Sequence, residues 1–600
     1  MGTASATPAN LFAYSAATAQ AAHELENFVR SRVTPAILAY SQTQSCPLPI
    51  DAMVLSRLRA ILATDEEVKQ VGQDFLKAGG DAASLLLTHQ RVVTTDDALA
   101  AAEAALAAED VERIDQGYPH DPAAARAALA RLNDLMARNR GDSEFATSLL
   151  RQLGPRGLLN LLGKLAAMGH YDHSKGALPQ VRTAQRGLSS LLAQATDPAS
   201  PHHLDAGWTQ ALDTAAGRSV PVTPYLDVTG YQLLEPLLGN PGAHFSTPFL
   251  TTFGRDLLAY ERSSPGGKPP WANPLVNRPM TNLISPGDAG YDPMVGLLEA
   301  LGRNREAATE LLDPHGGKSS TIEYLVALRG WPCDVGGAHT GQTALAEALR
   351  AAAATEPTDA AQRRIAAELV RALGDDLGGK VPGPLRSGVT DVLGAHMAAG
   401  NLNGAFGDSS SGKPTVFGEQ YLRLVLADLA QDPGHYQHLA SFETAYARLH
   451  FHADPDLTAA SMGQILGALV KGRIDAVRSG HLSADARHNA AVDGISWAVN
   501  EALAQVPTKG TAAGLAMQGV QQLANRIEQH FHQDTSAQAN RTGTELFTAG
   551  QEDVKRAVRD LADHLLTGQG QERRAERLAV DASSGYGQAY GLAGGKPPVG

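Results

Sequence analysis

Residues 141–165 read GDSEFATSLLRQLGPRGLLNLLGKL, and their spacing decides the fold. Phe145, Leu149, Leu150 and Leu153 return every third or fourth position, the period of a helix that buries one face. Gly154 and Pro155 then break the run, because proline has no N–H for the helical ladder and glycine tolerates the backbone of a helix end. Leu158 to Leu165 begin a second apolar run, so the stretch predicts two short helices meeting at Gly154–Pro155. The same pattern continues in both directions.

Toward the N-terminus, residues 93–140 contain DDALAAAEAALAAEDVERI and DPAAARAALARLNDLMARN. Ala, Leu and Arg are strong helix formers, but the apolar faces are thin, which predicts outer helices or an Ala-rich spacer. Residues 1–92 read as a long helical hairpin. Leu25, Phe28, Val29, Val33, Ile37 and Tyr40 form one stripe, SQTQSCPLPIDA breaks it, and Val54, Leu55, Leu58, Ile61 and Leu62 begin a second. Thr64 with Glu67 has the spacing of a capping box.

Toward the C-terminus, residues 141–415 read as a central helical domain of short helices joined by Pro/Gly-rich loops. The longest loop runs over 262–293 and carries Trp271, either an anchor for a partner or, as preferred here, a side chain tucked onto its own domain. Residues 416–505 form a helical domain with cleaner periodicity, and 506–582 hold C-terminal helices around Leu515–Phe531 and Glu552–Leu566. The tail 583–600, SSGYGQAYGLAGGKPPVG, lacks an apolar period and reads as mobile. SVPVTPYLDV, from Ser219, is the best strand candidate and is interrupted by two prolines. The predicted class is all-α: multi-domain helical bundles with an N-terminal helical hairpin and Pro/Gly-rich connections.

Composition agrees. Of 600 residues, 43% are hydrophobic, enough for real cores, while aromatics at 5% leave little of what sheets favour. A net charge of −13 argues against nucleic acid, whose phosphates need a basic surface. Cys46 and Cys333 cannot build a disulfide framework. The first residues lack the basic and apolar regions of a cleaved signal, and no window is apolar for the length of a membrane span. The expected location is the cytoplasm, or outside the cell by a route without a cleaved signal.

Two runs invite a metal reading: His450, His452 and Asp454, then His530, His532 and Asp534. His-x-His-x-Asp serves metal hydrolases because residues i and i+2 project together from a strand or extended loop. On a helix the same residues diverge by about 200°. Both runs follow helical stripes and fall in a closing turn, where histidine complements the negative helix end. Helix-end roles are therefore expected, with these six residues kept as the only metal candidates and no cofactor expected. His170, Asp172 and His173 read as a solvated turn. GDSSSGKPT from Gly407 carries Pro414 where a phosphate loop needs Ser or Thr, and DPHGGKSS from Asp313 is preceded by Leu312 where the first glycine belongs. No recognisable nucleophile motif occurs, so no catalytic residue is assigned.

With the hairpin and GDSEFATSLLRQLGPRGLLNLL, the segments TPFLTTFGRDLLAYE, YDPMVGLLEALGRNREAATELL, YLVALRGW and QDPGHYQHLASFETAY occur in an order that resembles a family of uncharacterised actinobacterial proteins. Those large helical proteins begin with a hairpin akin to the small WXG-type proteins of type VII secretion. The resemblance spans about residues 10–505 and implies an all-helical fold, a link to type VII export and no catalytic residues. The chain departs from the WXG pattern at the hairpin turn, where CPLPI replaces Trp-x-Gly. It also lacks Tyr-x-x-x-Asp/Glu after the second arm, since Phe75 is followed by Gly79. The expected function is non-enzymatic protein binding, as a secretion-associated substrate, carrier or structural component. A small helical-hairpin protein is the expected partner. The alternatives are an exported toxin with its effector in residues 505–600, and a cytosolic helical scaffold.

Overall fold

A computed structural model describes residues 31–32, 96–478 and 543–592, apart from 175, 224–225, 265–268, 272–280, 286, 315–319, 333–339, 406–416 and 567–569. Leu25, Phe28, Val29, Val33, Ile37, Tyr40, both cysteines, the segment from Gly407 to Pro414, and His530, His532 and Asp534 lie outside the described residues. Among the described residues the fold is all-α, with one two-stranded hairpin. The chain divides into two compact units, residues 1–233 with 279–284, and 234–278 with 285–600.

In the first unit, α1 (Asp96–Gly117) packs on α2 (Pro122–Arg138) and α3 (Ser143–Tyr171), and α4 (Ala177–Ala195) packs on α2 and α3. Carboxylates start the helices: Asp121 accepts from the Ala124 N–H and Asp142 from the Phe145 N–H, both at 3.0 Å. Ile114, Ala125, Ala128, Leu129 and Leu132 are fully buried. The Ala-rich region is therefore core and not spacer, because alanine lets helices approach until even a thin stripe closes over. The 141–165 stretch is as expected: two helical segments of α3 meet at a kink at Gly154, whose backbone is non-helical (φ 61°, ψ 170°). Such angles are essentially open to glycine alone, and Pro155 restarts the helix beyond them.

After α5 (Ala206–Ala216), β1 (Ser219–Thr223) and β2 (Leu226–Thr229) pair antiparallel with Val220 opposite Val228. Val220, Val222 and Val228 are buried, and β1 packs on α3. Part of the long 262–293 loop is pinned within this unit. Buried Gln185 donates to the Thr281 carbonyl at 2.7 Å and accepts from the Leu283 N–H at 3.2 Å.

Helix α6 (Gly230–Gly239) runs through the point of division. The second unit contains α7 (Thr247–Ser263), α8 (Pro293–Arg303), α9 (Arg305–Leu312), α10 (Thr340–Ala353), α11 (Ala360–Arg371), α12 (Arg386–Ala398), α13 (Glu419–Leu429), α14 (Pro433–His450), α15 (Pro455–Arg478), α16 (Gly543–Leu565) and α17 (Gln571–Leu592). Both α8 and α9 pack on α10, followed in series by α12, α14 and α15. Helix α15 is central, touching α13, α14, α16 and α17. Its closest neighbour is α17. A Cβ on Gly463 or Gly467 would fall 2.1 Å and 2.4 Å from the carbonyl oxygens of Ala582 and Tyr586, so the two backbones meet where side chains are absent.

Helix α17 corrects the expected tail. Residues 583–592 are helical, and Tyr586 and Tyr590 are fully buried against Phe547 of α16, with ring centroids 5.4 Å and 4.6 Å away. Ala575, Leu578, Ala579, Ala582, Tyr586, Ala589 and Tyr590 do form an apolar stripe, but intervening Gly and Ser mask its period.

Candidate functional site

The described histidine run serves the ends of helices. His450 closes α14 and stacks on Tyr446 one turn earlier, with centroids 4.4 Å apart and planes at 18°. Burial holds its imidazole pKa below the usual histidine value. His452 turns away, its Nδ1 lying 3.2 Å from the Leu565 carbonyl at the end of α16, which accepts a hydrogen bond from that nitrogen. Asp454 takes the N–H of Leu457 at 3.0 Å and so caps the start of α15. The three side chains have three separate partners. Among the described residues, no three His, Cys, Asp or Glu side chains are grouped to hold a metal ion.

The 170–173 turn is structural in the same way. Asp172 closes α3, accepting from Arg126 at 2.7 Å and from the Ser174 N–H at 2.9 Å. Partial burial opposes its ionisation, but these hydrogen bonds and the Arg126 charge prevail and hold the carboxyl below its ordinary value.

Among the described residues of the second unit, two buried polar clusters stand out, and the sequence motifs pointed to neither. Thr321–Glu323 forms one α-helical turn that passes into a π-helical turn, Tyr324–Leu328, and Arg329 follows with its side chain fully enclosed. Its guanidinium donates to Glu261 at 2.6 and 3.0 Å and to Asp292 at 2.6 and 2.9 Å, while lying over the Trp331 ring at 4.3 Å. The Tyr324 hydroxyl donates to Glu261 at 2.8 Å. Burial pushes the Glu261 carboxyl up, against the pull of Arg329. Burial also disfavours the charged guanidinium, but the two carboxylates outweigh it and raise the Arg329 pKa. This cluster ties α7, the N-terminus of α8 and the π turn together. Its polar groups are spent on each other, leaving it suited to holding the fold.

The second cluster is Glu443 of α14, fully buried, with the Asn403 amide donating to its carboxylate oxygens at 2.9 and 3.1 Å and to Ser461 at 3.0 Å. Burial pushes Glu443 up to about 8, so it is largely protonated at neutral pH. Glu299 of α8, at a cleft of about 470 Å³ with Arg303, Thr343 and Glu347, is raised to about 7 by burial and by Asp288.

Trp271 is 3% exposed and stacks on Tyr260, centroids 6.0 Å apart, so its indole is packed within its own unit. A larger concave surface lies elsewhere. In the first unit, the Gly154 kink and α5 bound an open groove of about 570 Å³. Leu153, Gly154, Pro155 and Arg156 form one side. The face of α5 at Gly207, Gln210, Ala211, Thr214 and Ala215 forms the other, with Arg218 at its end. The Gly-Pro break was legible in the sequence. That Arg156 and Arg218 line one groove was not, since they are sixty-two positions apart in the chain.

Among the described residues no helix is long and apolar enough to cross a membrane. The chain matches no protein-family model and no curated protein.

Proposed function

We propose that the chain works by binding another protein, as a helical substrate, carrier or structural component associated with type VII secretion. The observation carrying this reading is the open groove beside the Gly154 kink, a concave face of helical surface framed by two basic side chains. Support also comes from the engagement of these ionisable groups: buried Arg329, Glu261 and Asp292 hold one another, and Asp454 and Asp172, nearer the surface, close helices. The link to type VII export rests on the order of helical segments and the WXG-like N-terminal hairpin read in the sequence.

The test begins with mild cross-linking and affinity purification from the native cell. Each captured protein is then purified and recombined with this chain. A defined complex rebuilt from pure components, together with secretion machinery-dependent appearance of the chain in culture medium, is the expected result. Failure of every captured protein to form a complex would overturn the binding role. Unchanged distribution without the machinery would overturn the secretion role.

A further inference from the structure

The groove between α3 and α5 is edged by two arginines. Several arginines of the first unit face carboxylates: Arg113 and Arg131 meet Asp110, and Arg126 meets Asp172. Among the described residues the side chains of Arg156 and Arg218 make no ion pair or hydrogen bond, and both are exposed. No Asp or Glu lines the groove, although the chain carries thirteen more acidic than basic residues. Two unpaired guanidiniums therefore frame a surface from which the chain's own carboxylates are excluded.

Shape narrows the class of ligand. Gly207, Ala211 and Ala215 recur at four-residue steps along α5, keeping that wall low. Leu153 and Pro155 give the opposite side apolar surface. An open groove of this kind suits a polypeptide laid across it better than a metabolite needing enclosure. Its charge suits carboxylates, which guanidinium binds through paired N–H groups. Two arginines on so acidic a chain fall well short of the basic field that nucleic acid requires.

We propose that this groove docks an acidic polypeptide segment of a partner protein, with carboxylates against Arg156 and Arg218 and small apolar side chains over Ala211 and Pro155. This rests on the protein-binding reading and names the partner's chemistry.

The probe is a short fluorescein-labelled peptide of Glu, Ala and Leu, titrated with the full chain and followed by fluorescence anisotropy. Saturable binding that weakens as salt rises is expected. Exchanging Glu for Gln in the peptide, or making Arg156→Ala with Arg218→Ala, should each reduce affinity about tenfold. Arg156→Glu with Arg218→Glu should lose the acidic peptide and gain the matching Lys peptide. Both side chains are exposed, so circular dichroism and the melting temperature should match wild type, confirming that loss of binding is not loss of fold.

Absence of binding, equal binding of the Gln peptide, or indifference to the arginine changes would overturn the proposal. So would full displacement by inorganic phosphate at peptide-like affinity, or tighter binding of a single-stranded oligonucleotide. A native complex that survives the double alanine change would leave protein binding intact and reject this groove as its seat. Failure to rebuild any native complex would reject the protein-binding reading itself.

Discussion

Glu443 stands where a single proton changes the stability of the second unit. Its folded pKa of about 8 lies well above that of an exposed glutamate, about 4.3, because burial penalises the carboxylate more than the Asn403 amide relieves it. Below the unfolded value both states are protonated and the carboxyl costs nothing. As pH rises toward the folded value, only the unfolded chain ionises, and stability falls by about 1.4 kcal/mol per pH unit. Glu443→Gln keeps an oxygen for Asn403 and removes the proton. It should stabilise the protein by about 3–4 kcal/mol near pH 7, with the gain vanishing near pH 4. Urea denaturation across that pH range measures it, and a gain independent of pH would show that the carboxyl is not responsible. Arg329 has the opposite character. Arg329→Met leaves Glu261 and Asp292 enclosed without a cation and should cost about 3–5 kcal/mol in the same assay.

At the scale of elements, the quoted stretch shows what periodicity can and cannot specify. Phe145, Leu149 and Leu150, then Leu158, Leu161, Leu162 and Leu165, are buried as their spacing requires. Local pattern also located the kink, because Gly-Pro carries its own backbone consequence. It also separated the two runs, which are distinct helical segments on either side of Gly154. Gly154→Ala tests that hinge. No atom lies within 4 Å of the added methyl, so any cost comes from the backbone and not from crowding. The change should destabilise the first unit by about 1–3 kcal/mol, read from faster amide exchange in α3. Unchanged exchange would mean that the φ of 61° is not held in solution. The histidine run obeyed the same local logic, because its meaning depended on helix ends that apolar spacing had placed. Arg329 and the Arg156–Arg218 groove did not. Their partners come from segments tens of residues away, and residue type alone gives no distance in space.

At the scale of the whole chain, such distant pairings decide which residues are core. Helix α15 finds its closest neighbour in α17, with Gly463 against the Ala582 backbone more than a hundred positions later. The Gly- and Ser-rich end of the chain thus completes a core begun near residue 455, and its apolar stripe is hard to read because small residues make it work. Tyr586 separates packing from polarity at this seam. Its ring is fully buried near Phe547, yet its hydroxyl has no hydrogen-bond partner among the described residues. Tyr586→Ala empties the site and should cost about 3–5 kcal/mol, as loss of a large buried ring does. Tyr586→Phe keeps the ring and deletes only the unsatisfied hydroxyl, so it should be neutral or stabilise by up to about 1 kcal/mol. Urea midpoints of the two variants measure the difference. If Tyr586→Ala were as stable as wild type, residues 583–592 would be a dispensable tail after all. If Tyr586→Phe were strongly destabilised, the hydroxyl would have a partner in solution, and a hydrogen bond would share with ring packing the work of joining α17 to α15 and α16.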